Sequence, residues 1–131
     1  AQGPNGSTLA ADGMIPKLFS KHSAQAVPER VSQLRSIIAG SDYQMIAETQ
    51  YALARRAEAT HWLPEINLPT LLICGEHDAI SPADEMRAIA TAMPNATIEI
   101  IENVGHMAPL EHPQAVNDLI RQFLKQTDSS C

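Results

Sequence analysis

Apolar positions in the first half of the chain recur with a helical period, while those in the second half gather into short runs separated by helical stretches. Met14, Ile15, Leu18 and Phe19 follow i, i+3, i+4 spacing and predict a short helix around residues 9–20. Pro28 suits the first turn of a second helix, with Glu29 near the positive end of its dipole. Val31, Leu34, Ile37 and Ile38 give that helix one apolar face, and Gly40 ends it. Ser41 or Asp42 can cap a third helix running to about Ala59, on a weaker face made of Ile46, Leu53, Ala54 and Ala57.

The pattern changes near residue 64. Thr70-Leu71-Leu72-Ile73-Cys74 is a continuous apolar run between Pro69 and Gly75, which predicts a strand buried on both faces of a parallel sheet. Ser81-Pro82 predicts a helix start, with Ser81 as N-cap and Pro82 as first helical residue; Met86, Ile89, Ala90 and Met93 form its face. Residues 97–102 alternate in part and predict a second strand nearer a sheet edge. Pro113 opens a last helix with Val116, Leu119, Ile120, Phe123 and Leu124 as its buried stripe. The order strand, helix, strand, helix is a β-α-β-α unit, so the fold class is α/β. Two parallel strands do not make a stable sheet alone. The unit therefore reads as part of a larger, mostly parallel sheet.

Composition narrows the function. The chain has 131 residues, is 44% hydrophobic and carries a net charge of −6, all of it arising after residue 65. With no cluster of Lys or Arg, nucleic acid and anionic membrane surfaces are excluded as partners. No stretch is long and apolar enough to span a bilayer. Two cysteines, Cys74 in an apolar run and Cys131 in a polar tail, predict no disulfide and fit a reducing, cytoplasmic compartment.

The chemistry lies in the two loops that leave the carboxyl ends of the strands, where α/β sheets bind ligands. Each loop offers an ionisable residue soon after its strand, Asp78 in the first and His106 in the second. A carboxylate that accepts the Nδ1 proton of a histidine fixes its tautomer and leaves Nε2 free to deprotonate a hydroxyl. His77 adjoins Asp78 but is expected to be exposed, and Cys74 to be a small core residue. His22, His61 and His112 lack ligand spacing, so no metal is expected. Trp62, Phe19 and Met14 are read as packing residues and Arg55-Arg56 as a solvated pair.

Residues 64–126 resemble the carboxyl-terminal part of the α/β-hydrolase fold superfamily. The resemblance rests on Gly75, Asp78 and Pro82 in a G-x-x-D-x-x-x-P pattern and on Gly105, His106, Glu111 and Pro113 in G-H-x-x-x-x-E-x-P. Residues 8–63, with DGMIPKLFS at 12–20, are similar to the helical cap of 3-oxoadipate enol-lactonase-like hydrolases. It implies a cap region at 8–63 and the last β-α-β-α part of the hydrolase core at 64–126, while the Gly/Pro/Asn/Ser-rich residues 1–7 read as a linker and 127–131 as a tail. It also implies catalytic roles for Asp78 as acid and His106 as base, with Gly105 letting the turn hold His106. Glu111 and Pro113 would organise the start of the last helix. The substrate implied is a small ester, lactone or related carbonyl compound, with no cofactor. The G-x-S-x-G nucleophile motif expected upstream is absent from these residues. The chain is therefore expected to be inactive alone and to need the amino-terminal half of a hydrolase, in the same gene or a second chain, or to self-associate. The competing reading is a non-catalytic fragment or a complementing or binding subunit. Within enzymes, a C–C bond hydrolase or a dehalogenase are the alternatives. Substrate-lining residues are left unassigned.

Overall fold

The computed structural model describes residues 5–128. Its first part is helical: α1 (Gly6–Leu18), α2 (Lys21–Ala26), α3 (Pro28–Gly40), α4 (Tyr43–Ala54) and a 3-10 turn, Thr60–Glu65. Helix α1 packs on α3 and α4, and α2 packs on α3. The second part is β1 (Thr70–Gly75), α5 (Ala83–Ala92), β2 (Ala96–Ile101), α6 (Ala108–Glu111) and α7 (Pro113–Asp128). The strands pair in parallel, from Thr70 opposite Ala96 to Gly75 opposite Ile101. Helix α5 packs on both strands, while α6 and α7 pack on β1.

Local chemistry explains most boundaries. Pro28 sits in the first turn of α3, as expected. Asp42 caps α4 by accepting from the backbone N–H groups of Gln44 (2.7 Å) and Met45 (3.3 Å). Pro82 rather than Ser81 is the cap residue of α5, because its ψ of 149° is extended and the helix begins one residue later. Helix α4 stops at Ala54, five residues short of expectation, where Arg55 and Arg56 bond back three residues to Ala52 and Leu53. That tighter bonding closes the last turn instead of propagating it.

Other expectations need correction. The 1–7 linker is helical from Gly6, and Ser7 is buried along with Ala11. Small side chains at four-residue spacing allow close helix packing without any bulky apolar signal. Residues 1–4 of that linker, and Cys131 with its two neighbours in the tail, lie outside the described residues. The rest of the tail, at 127–128, continues α7. Strand β1 is half-buried at Leu71, Leu72 and Ile73 and fully buried only at Cys74 and Gly75. Among the described residues it pairs along one edge alone. On α7 the buried stripe narrows to Val116, flanked by half-buried Leu119 and Phe123, while Ile120 and Leu124 face out. Trp62 does not pack inside; it is 58% exposed and tilts against His61. Phe19, by contrast, is buried.

The main core lies directly behind the second loop. Ile101, Val104, Ala108 and Val116 form a buried cluster, joined by Ile73, Ala115 and Leu119. Its members come from β2, the loop after it, α6 and α7, so burial of apolar surface fixes that loop against the sheet.

Candidate active site

Both strand-end loops are tied together before either reaches its ionisable residue. The N–H of Glu76 donates to the Ile101 carbonyl (2.9 Å) and that of His77 to the Val104 carbonyl (2.8 Å). A side chain at Gly75 would collide with the carbonyl oxygens of Val104 and Gly105, so only glycine permits this approach. Asp78 then turns back on its own loop. Its Oδ1 accepts from the backbone N–H of Ile80 (2.8 Å) and of Ser81 (2.9 Å). Such turns are a habit of aspartate, whose short carboxylate reaches N–H groups two and three residues on.

The other oxygen, Oδ2, lies 2.8 Å from His106 Nδ1. The expected juxtaposition of the two residues is therefore present. The Asp78 side chain is 7% exposed and that of His106 34%. Burial works to raise the Asp78 pKa, but the Ser81 N–H, the His106 ring and the Ile80 N–H outweigh it and hold the carboxyl below its ordinary value. An ionised carboxylate can only accept, so Nδ1 carries a proton, and in the neutral ring Nε2 is then the nitrogen with the free lone pair. That is the tautomer a general base requires.

The loop bearing His106 is held by more distant groups. Asn103, at φ 61°, adopts the left-handed conformation that asparagine tolerates, and its N–H donates to the Glu76 carboxylate at 3.0 Å. The Asn103 carbonyl accepts from the hydroxyls of Ser20 (2.5 Å) and Ser23 (3.1 Å). Glu111 is buried, and its carboxylate accepts from the N–H groups of Ser20, Gly105 and Met107. The expectation that Glu111 organises the start of the last helix is corrected: its partners lie in the His106 turn and at the start of α2. Ser20, Ser23 and Asn103 were not singled out from sequence. Their only local signal was that serine is a good N-cap for α2.

Remaining candidates separate cleanly. The His77 ring is exposed, 3.8 Å from Glu76, and does not meet Asp78 through any described bond. His112 Nδ1 accepts from the Ala115 N–H at the start of α7. Among the described residues, no three metal-binding side chains cluster. Cys74 is 2% exposed, lies 3.3 Å from the Gly75 carbonyl and 3.4 Å from that of Ser81, and burial pushes its pKa up, with the Asp78 charge adding to this. A protonated, enclosed thiol is a poor nucleophile. Arg55 is exposed and bonded to the Tyr51 hydroxyl. No helix among the described residues is long and apolar enough to cross a membrane.

Comparison with known proteins identifies the fold. The family model described as alpha/beta hydrolase fold matches residues 17–113. A poly(3-hydroxyalkanoate) depolymerase from Ectopseudomonas oleovorans is 39% identical over 66 residues, which is 50% of this chain and 23% of that protein. The structure of a thermophilic esterase from Thermogutta terrifontis superposes with a TM-score of 0.86 at 33% identity, over 95% of this chain and 45% of its own. An enol-lactonase from Burkholderia xenovorans LB400 shares the fold, with a TM-score of 0.84 at 23% identity over 92% of this chain and 45% of its own. The chain spans less than half the length of each.

Proposed function

Because the chain belongs to the α/β-hydrolase fold family, we propose that it supplies the acid and base of a serine-type hydrolase acting on an ester, lactone or related carbonyl compound. One observation carries this reading: the 2.8 Å bond between His106 Nδ1 and Asp78 Oδ2. A serine hydroxyl placed against Nε2 would give up its proton to His106 as it attacks the substrate carbonyl. Asp78 would stabilise the imidazolium so formed. His106 would return the proton to the leaving group, and water would then take the place of serine in the second half of the reaction.

In this proposal, serine and the N–H groups that bind the oxyanion come from a segment outside the 131 residues, in the same polypeptide or a second chain. Residues 8–63 act as the cap over the site. The esterase likeness at 33% identity supports a carbonyl ester as substrate class. A reducing, cytoplasmic setting is part of the same proposal and rests on the sparse cysteine content of the chain.

An activated ester tests the division of labour. The 131-residue chain alone is expected to show no turnover above buffer, and a fluorophosphonate probe to leave it unlabelled. Combined with a polypeptide carrying a strand, G-x-S-x-G and helix, it is expected to turn over, and His106→Ala to reduce that rate by about 10³-fold or more. Turnover by the chain alone that His106→Ala abolishes would overturn the missing-nucleophile reading. Complemented turnover indifferent to His106→Ala would overturn the role of His106.

A further inference from the structure

A hydrogen-bonded seam joins the end of α1 to the turn that carries His106, and Glu111 is its centre. This carboxylate is 7% exposed, and a charge in such a place is tolerated only when hydrogen bonds replace its water. Main-chain N–H groups provide them: Oε2 accepts from Ser20 (2.9 Å) and Gly105 (2.8 Å), and Oε1 from Met107 (3.0 Å). Gly105 and Met107 are the immediate neighbours of His106 on either side. Ser20 lies 91 residues before Glu111.

The seam has no slack. The Met107 N–H is shared with the Leu18 carbonyl at 3.0 Å, and the hydroxyls of Ser20 and Ser23 hold the Asn103 carbonyl. A Cβ on Gly105 would stand 2.5 Å from the Ser20 nitrogen and 2.9 Å from the Phe19 carbonyl carbon. Bonds to the amides before and after one residue fix its backbone angles, and with them the direction of its side chain.

We infer that Glu111 is a positioning residue: by holding the amides on both sides of His106 and the amide of Ser20, it makes the aim of His106 at Asp78 depend on the junction between α1 and α2. Any displacement of the helical part at Phe19–Ser20 is then felt at the base. This rests on the reading of His106 as a base, and adds to it the residue that sets its direction.

The test uses the full 131-residue chain with ¹⁵N-labelled histidine. The unsubstituted chain is expected to show His106 as the Nδ1–H tautomer with a slowly exchanging ring proton. In Glu111→Ala that proton is expected to exchange about tenfold faster or more, with the Nε2–H tautomer appearing. Glu111→Gln, which keeps one acceptor oxygen, is expected to fall between the two. Ser36→Ala removes a hydroxyl on α3 that meets only the Ser32 carbonyl, outside the seam, and is expected to leave the tautomer and the exchange unchanged. Absence of the Nδ1–H tautomer from the unsubstituted chain would overturn the acid–base reading itself. Its presence, with exchange unaltered in folded Glu111→Ala, would overturn only the role given to Glu111. Should Glu111→Ala not fold, amide exchange in the unsubstituted chain decides. One shared opening is expected for Ser20, Gly105 and Met107, and Ser20 exchanging more than about tenfold faster than the other two would overturn the proposal.

Discussion

The two loops that meet at the site are built in opposite ways. Beyond the shared tie at Glu76 and His77, the Asp78 turn organises itself, since the oxygen that does not face His106 is occupied by N–H groups two and three residues on. The His106 loop is organised from elsewhere, by Glu76, Ser20, Ser23, Leu18 and Glu111. An acid needs only a fixed charge, which a short turn can provide. A base must also point in a chosen direction, and a flexible turn gains that only from partners outside it.

Substitutions can break or sharpen this contrast. The largest effect is expected from Gly105→Ala, where the colliding atoms are main chain of Phe19 and Ser20 and cannot swing aside. A loss of about 3 kcal/mol in urea unfolding is expected. A cost under about 1 kcal/mol would mean that the seam is looser than described.

Asp78→Asn is expected to be milder for the fold and severe for the chemistry. Its oxygen can still accept from Ile80 and Ser81, so the turn survives at a cost of about 1–2 kcal/mol. The amide now donates to Nδ1, the proton moves to Nε2, and complemented turnover falls by about 10⁴-fold. The pH dependence follows from the same carboxylate. Its folded pKa lies below the unfolded value, so its stabilisation is complete above the unfolded pKa of about 4 and disappears as pH falls through the folded one. Urea midpoints measured from pH 7 down to acid should fall less steeply in Asp78→Asn than in the unsubstituted chain. An equal slope would show that Asp78 is not held in its charged form.

The smallest effect is reserved for a site outside both loops. Gly13 lies in α1, and an added Cβ there meets nothing within 4 Å. Gly13→Ala is expected to stabilise the chain by about 0.5–1 kcal/mol through helix propensity alone. Destabilisation there would show that α1 needs its glycine for packing.

What was legible in the sequence follows the same divide. Both strands, α3 and α7 are announced by apolar runs and by Pro28 and Pro113, because their signals are local. Asp78 and His106, the proposed acid and base, were legible as a pair in two short patterns with strands before them, and the structure brings them together. Helix α2, with the sequence KHSAQA, carries no large apolar residue and left no periodic trace. The four-residue α6 and the 3-10 turn at Thr60–Glu65 are too short for a period. Glu111 was visible as a motif position, but its partner Ser20 is set by tertiary packing across most of the chain. Half-burial of β1 differs from its fully apolar run for a related reason: covering a strand depends on its neighbours, which its own residues do not encode.

Strand β1 has one further consequence. Its second edge carries main-chain donors and acceptors that no other described strand engages. Anything that seats a strand there binds the folded state only, so heat resistance becomes a property of the mixture. A partner at a hundred times its dissociation constant would add about 2.7 kcal/mol by mass action. Melting curves should therefore move with the concentration of an added polypeptide that seats a strand there, and a titration of Tm tests whether a given polypeptide does so.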